Sequence, residues 1–352
     1  MSTAARAVRA PARLQTAARS WPAELAGSSD SIQLARGRVI SAASRDDEAA
    51  GVAGVLIVTD RGFDAAAIAR EIHARGPSPM APFDVVDGAA DRVEHLLFGR
   101  PVRGRGRKPT RADALEAIGP DARLLTARGG TLVLTSVVEL PSSVQLRLAR
   151  LMRDGEARIS GGGRAERLSL RVVATARSPI EPDLESGRLR EELFRRLSSL
   201  RIDVPSLAGR REDLPAIARL LLRDALDAVG APQRTFTQAA LALVAALPWE
   251  GNVEELRRVA KGLARASDRS AKNGIRVEDV LGEIRLDARP GVLGPQASLR
   301  EARRQFEREY IAAVLRHHHG RMEPTARMLG IQRTNLYRKA RQLGIARSKV
   351  AE

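Results

Sequence analysis

Apolar positions recur along this chain with two different periods, and the change of period divides it. Between about Glu24 and Leu207, short β-branched runs alternate with stretches of helical spacing. Strands are predicted at Val55–Val58, Phe83–Val86, Thr131–Leu134, Leu170–Thr175 and Leu200–Val204. Strands separated by helical stretches predict a parallel sheet with crossover helices. Residues 208–285 keep helical periodicity throughout, with Asp213-Leu-Pro and Thr237-Gln as helix starts. The stretch LDARPGVLGPQA, 286–297, holds two prolines and two glycines and loses the period, so a linker is expected. The division is therefore a disordered basic arm at 1–23, an α/β unit at 24–207, a helical unit at 208–285, the linker, a compact helical domain at 298–346 and a tail at 347–352.

One strand–turn–helix in the α/β unit, VLIVTDRGFDAAAIAREIH at 55–73, has the outline of a phosphate-binding unit. Such a unit uses glycines so that backbone N–H groups can surround phosphates, and a lysine to reach the terminal ones. Here the turn runs Thr59-Asp-Arg-Gly-Phe-Asp64, and a helix opens on Ala65. Taken alone, the segment is equally a plain strand–turn–helix with no site to lose.

Composition narrows the partners. The 352 residues are 43% hydrophobic and only 3% aromatic, so the cores must rest on Leu, Val, Ala and Ile. A net charge of +17 favours a polyanionic partner, and nucleic acid before a membrane. The longest apolar run, Ala239–Leu247, is far too short to span a bilayer. No cysteine is present, which excludes disulfides and thiolate metal sites and fits a cytoplasmic setting. Met1–Ser20 is basic without an apolar centre and does not read as a secretion signal. From Arg100 to Arg111 the chain reads RPVRGRGRKPTR, six basic and no acidic residues, as a loop suited to touching nucleic acid or simply to solvent.

The sharpest positional pattern is GRMEPTARMLGIQRTNLYRKARQLGI, 320–345. Pro324 suits the first turn of a short helix ending near Leu329, and Gly330 allows a sharp turn. A second helix is predicted from about Gln332 to Leu343, with Leu336, Ala340 and Leu343 inward. Its other face carries Arg333, Thr334, Asn335, Arg338, Lys339 and Arg341, the arrangement of a helix-turn-helix reading a major groove. Arg333, Thr334 and Asn335 are the candidates for base edges; Arg338, Lys339 and Arg321 are candidates for phosphates. Residues 298–352 hold thirteen Lys/Arg against five Asp/Glu. The adjacent His317-His318-His319 point to different sides of a helix and are not read as a metal site.

EREYIAAVL, ARMLGI and LYRKARQLGI together resemble the Fis-type DNA-binding domain that ends bacterial enhancer-binding proteins. The resemblance implies a long first helix, here about Leu299–Arg316, that dimerises the protein on a palindromic site. Arg321 departs from the family's usual asparagine. The region 24–265 resembles the AAA+ domain of sigma-54-dependent activators, through LAGSSDSIQLARGRV, HLLFG, GGTLVL, ELPSSVQLRLARLMRDGEAR, RLREELFRRLSSLRIDVPSLAGRREDLPAIA and WEGNVEELRRV. The implied architecture is a three-layer αβα AAA+ domain with a parallel sheet and helical lid, followed by an all-α helix-turn-helix domain. No sensory domain is expected ahead of it.

Carried over position by position, the chemistry is missing. Thr59 and Asp64 stand where the phosphate loop's outer glycines belong, Ala65 replaces its lysine, and Gly62 alone remains. An Asp64 carboxylate about 4 Å from a phosphate charge would repel it by roughly 1–4 kcal/mol. Thr135-Ser136 replace the Asp-Glu that hold Mg²⁺ and orient water. Arg177 replaces the sensor asparagine, Glu254 the lid arginine, and no GAFTGA loop follows Gly99. Arg190 and Arg196 do match the family's trans-acting arginines, whose alternative is surface pairing with Glu191, Glu192 or Asp213. The expected protein is thus a cytoplasmic, nucleoid-associated regulator that binds double-stranded DNA as a dimer or higher oligomer, with no catalytic residues and no cofactor. Two alternatives stand beside it: a divergent active sigma-54 activator using ATP and Mg²⁺, and an inactive subunit joining an active AAA+ relative.

Overall fold

The computed structural model describes residues 20–44, 52–100, 115–159, 165–266, 274–287 and 320–345, with Arg304, Glu307, Arg308, Ile311, Val314 and Leu315. The arm before residue 20, the basic stretch 101–114, linker residues 288–297, His317–His319 and the tail from 346 lie outside them. The chain forms two compact units, 1–281 and 282–352.

In the first unit the strands are β1 (Val52–Thr59), β2 (Phe83–Asp87), β3 (Ala117–Ile118), β4 (Thr131–Thr135), β5 (Glu156–Ile159), β6 (Ala165–Arg167), β7 (Leu170–Arg177) and β8 (Arg201–Val204). Five of them make one parallel sheet in the order β2-β4-β7-β1-β8, the five anticipated from the apolar runs. β1 is buried at every position because both sheet faces are covered. Its side chains alternate between the faces. Val55 and Ile57 pack with Ile32, Val39, Ile68 and Ile72 from α1 (Asp30–Ala43) and α2 (Ala65–Arg75). Leu56 and Val58 pack on the other side with Val93, Leu97, Val144, Leu148, Leu193 and Leu197. Those residues come from α3 (Val93–Phe98), α4 (Ser142–Asp154) and α5 (Glu191–Leu197). The result is helix, sheet, helix. A small second sheet, β3-β5-β6, was not anticipated, since its strands are two to four residues long and β3 pairs with β5 across a distant segment.

The lid follows as α6 (Leu214–Val229), α7 (Gln238–Ala246), α8 (Asn252–Arg265) and α9 (Val277–Asp287). Thr237 caps α7 through Ala240 N at 3.3 Å, as the sequence suggests. Two boundaries shift. Packing begins before the end of the predicted arm, since Arg75 stacks 3.8 Å from the Trp21 ring centre and Ala23 is buried. Helix α9 continues to Asp287, two residues into the predicted linker.

In the second unit, α10 (Met322–Met328) and α11 (Arg333–Gln342) enclose Gly330, whose φ of 65° makes the turn. Leu336 and Leu343 of this pair close over Ile311, Leu315, Met322 and Ala326. Among the described residues of the predicted long first helix, Arg304, Glu307, Arg308, Ile311, Val314 and Leu315 are helical.

Candidate functional site

The carboxyl ends of β1, β4 and β7 meet at one edge of the sheet, where open α/β folds bind their ligands. Thr59 stands opposite Arg177 on β7, and Thr135 opposite Asp87 on β2. The turn from Asp60 to Asp64 then enters α2, whose first N–H groups are unpaired within the helix. One of them is already satisfied: Asp64 Oδ1 accepts from Ala67 N at 3.0 Å, as an N-cap. The Asp64 carboxylate also lies 3.7 Å from Arg70. A negative group from the chain itself therefore sits at the helix end that would otherwise attract an anion.

Gly62 has a different partner. Its φ is +85°, and a Cβ there would fall 2.0 Å from the Gly251 carbonyl oxygen. Glu254 N donates to Gly62 O at 2.9 Å, and Asn252 Nδ2 donates to Arg61 O at 2.8 Å. Asn252 Oδ1 accepts from Leu207 N at 2.9 Å, with Asn252 itself at φ +49°. The turn is thus clamped onto the start of α8. Glu254 directs its carboxylate to Arg257 at 2.9 Å. Ala65 ends in a methyl group, and Thr135 Oγ1 donates weakly to Asp87 Oδ1 at 3.3 Å. Ser136 takes a left-handed backbone, its N–H bonded to Thr175 Oγ1 at 3.2 Å. Arg177 is exposed. Among the described residues no cluster of His, Asp or Glu has the makings of a metal site.

A buried ionic knot beside this edge was not foreseen. Asp213, 1% exposed, accepts from Ser28 N at 2.6 Å, Ser29 N at 3.0 Å and Ser29 Oγ at 2.5 Å. Burial pushes its carboxyl up, but the Ser29 hydroxyl, the two backbone N–H groups and Arg210 outweigh that and leave it below its ordinary value. Arg210 is fully buried and donates to Ala26 O and Glu24 O, at 3.1 and 2.7 Å; desolvation brings it down to about 10. Glu24 in turn holds Arg257 at 2.5 Å. Only the helix start at Asp213 was legible in sequence; its partners lie some 185 positions away.

Of the two candidate trans-acting arginines, Arg190 donates to Ser142 Oγ at 2.9 Å rather than to Glu191, Glu192 or Asp213. Arg196 is exposed and has no polar partner among the described residues.

On the helix pair, Arg333, Thr334, Asn335, Arg338 and Arg341 are all exposed on α11, and Arg321 precedes α10. Arg338 donates to Asn335 Oδ1 at 3.2 Å, leaving the Asn335 amide N–H₂ outward as a donor. Lys339 is tied to Glu307 at 2.8 Å and stands apart from the exposed row. Tyr337, 40% exposed, joins that row with Arg333 5.8 Å above its ring; the sequence pattern did not single it out. A short helix offering Arg, Thr, Asn and Tyr at its first two turns can place donors and a flat apolar face against base edges.

Comparison with known proteins agrees with this geometry. Residues 25–203 match the sigma-54 interaction domain, 208–290 the AAA+ ATPase lid domain and 302–343 the bacterial regulatory proteins of the Fis family. The nitrogen assimilation regulatory protein NtrX of Azorhizobium caulinodans is 32% identical over 302 residues, covering 83% of this chain and 64% of the relative. The DNA-binding transcriptional regulator NtrC of Escherichia coli K12 is 30% identical over 316 residues, covering 83% and 65%. The chain thus spans a little under two thirds of these relatives. A crystal structure of Brucella abortus NtrX in complex with ATP superposes with a TM-score of 0.64 at 26% identity, covering 91% of this chain and 69% of that one. The AAA+ fold, its lid and the Fis-type helix-turn-helix place this chain in the family of sigma-54-dependent enhancer-binding regulators.

Proposed function

We propose that the chain is a sequence-specific DNA-binding transcription regulator whose AAA+ domain does not turn over ATP and serves as an assembly or sensing scaffold. The observation that carries this is Asp64: its carboxylate caps the helix that should receive phosphate. The remaining residues fit Mg-ATP no better. Ala65 has no amine to offer a terminal phosphate, and Thr135 and Ser136 offer hydroxyls where Mg²⁺ calls for carboxylates. The exposed row on α11 supports sequence-specific binding to double-stranded DNA, with affinity falling steeply as salt rises. A regulator of this kind works at the nucleoid.

The test is calorimetric titration of the full chain with Mg-ATP, alongside phosphate release. No saturable binding and no release above buffer are expected. Tight Mg-ATP binding that Asp64→Lys abolishes would overturn the reading and favour a divergent active sigma-54 activator.

Arg196 favours a second reading, in which the chain joins an active AAA+ relative and lends it an arginine in trans. An exposed guanidinium on α5, without a polar partner among the described residues, is suited to reaching a neighbouring subunit. ATPase activity of a mixed assembly that falls on Arg196→Ala would support it; activity unchanged by the substitution would refute it.

A further inference from the structure

A cavity of about 440 Å³ opens between the Pro22–Glu24 segment, Ala67 on α2 and the lid helices α6 and α8. Its body is apolar, formed by Ala23, Leu221, Ala225 and Val229. One wall is cationic: Arg257, Lys261 and Arg265 line it at intervals of four residues along α8, on one helix face. Arg257 is neutralised by Glu24 and Glu254. Lys261 and Arg265 have no polar partner among the described residues. Asp224, also on the lining, is held by its neighbour Arg223 at 3.2 Å. Two uncompensated cations beside an apolar chamber form a site for a molecule with an anionic head and an apolar body.

We propose that this cavity binds a small organic anion, a carboxylate or sulfonate carried on an aryl or acyl group. The head lies between Lys261 and Arg265, and the body lies against Leu221, Ala225 and Val229. The proposal rests on the reading of this domain as a sensing scaffold and names what it would sense. The chain's own leading arm is a poor occupant, because Arg6, Arg9, Arg13 and Arg19 and no acidic residue precede Ser20. Since the lining comes from both the sheet unit and the lid, a ligand there touches the two parts at once.

The test titrates 8-anilinonaphthalene-1-sulfonate into the native full-length chain and follows its fluorescence. N-phenyl-1-naphthylamine, with the same rings and no sulfonate, is the comparison. The expected result is one saturable site that prefers the sulfonate by about tenfold or more, equivalent to one 1.4 kcal/mol step. Lys261→Glu, at an exposed position, should erase that preference. Ala228→Trp, on the exposed rim, should weaken both probes by about tenfold or more. Equal binding of the two probes, or binding unchanged by both substitutions, would overturn the assignment. Mg-ATP is titrated in parallel. Its tight binding would overturn the reading of the domain as inactive, whereas absence of both Mg-ATP and sulfonate binding would overturn this assignment alone.

Discussion

Replacing Asp64 by alanine removes the contact on which the reading of the sheet edge depends. The substitution deletes the bond from Ala67 N at 3.0 Å and the longer pairing with Arg70 at 3.7 Å. Loss of an N-cap costs about 0.5–2 kcal/mol. The favourable field of a carboxylate at a helix N-terminus contributes about 0.3–1 kcal/mol, part of the same effect rather than an addition to it. The Arg70 pair, with both side chains well exposed, adds at most a few tenths of a kcal/mol. Asp64→Ala should therefore destabilise the first unit by about 1–2 kcal/mol. Asp64→Asn keeps a capping oxygen and loses only the charge, so its loss should stay within about 0.3–1 kcal/mol. Urea unfolding followed by tryptophan fluorescence measures this unit alone, since the chain's two tryptophans, Trp21 and Trp249, both lie in it. The vacated helix end should also become receptive to anions, so inorganic phosphate should raise the midpoint of Asp64→Ala and leave that of the parent chain. An Asp64→Ala midpoint equal to the parent's, or an Asp64→Asn loss as large as the alanine's, would refute the capping argument.

Gly62→Ala should cost about 2 kcal/mol or more in the same assay, because it combines a left-handed backbone with a Cβ placed 2.0 Å from Gly251 O. Asp213→Asn tests the ionic knot by pH. The Asp213 pKa is depressed in the folded chain, so its contribution is full above the ordinary carboxylate value of about 4 and lost as pH falls through the lower folded value. The stability gap between parent and variant, read from urea midpoints, should therefore be constant near neutrality and narrow below about pH 4. On a DNA site selected from random sequence, Arg333→Ala should lose about 1–3 kcal/mol of discrimination. In anisotropy titrations Arg338→Ala should reduce the slope of log affinity against log salt by about 0.9. Lys339→Ala should change that slope less, since its ammonium is already paired with Glu307.

The sheet was legible because it is covered on both faces. Val55–Val58 and Leu132-Val133-Leu134 are continuous apolar runs, and such runs in an alternating strand–helix order admit few arrangements. The small sheet was not legible. Ala117 and Ile118 become a strand only by pairing with Arg158 and Ile159, 41 residues on, and two residues carry no period. The same limit applies to the knot. Asp213 reads as a helix start, and it does stand before α6, but its side chain binds Ser28 and Ser29 across the fold. Such partners are fixed by topology, which local pattern does not encode.

At the sheet edge, the sequence shows which residues stand in the turn but only part of what they do. Asp64 reads in sequence as a charge that repels phosphate; in the fold it also supplies a bond that phosphate would have supplied. This changes what the remaining family residues support. Gly62, Gly251 and Asn252, which the sequence resemblance keeps, each join the turn to the lid through the Gly62–Gly251 approach or the bonds to Arg61 O and Leu207 N. Packing accounts for all three without a nucleotide. The positions to which the resemblance assigns phosphate, metal or water, Thr59, Ala65, Thr135, Ser136, Arg177 and Glu254, carry no amine and no metal-binding carboxylate pair. A turn selected for nucleotide would need both sets; a turn that holds the lid against the sheet needs only the first. That separation is what the proposed scaffold role requires, and it ties the lid's position to contacts that Gly62→Ala would break.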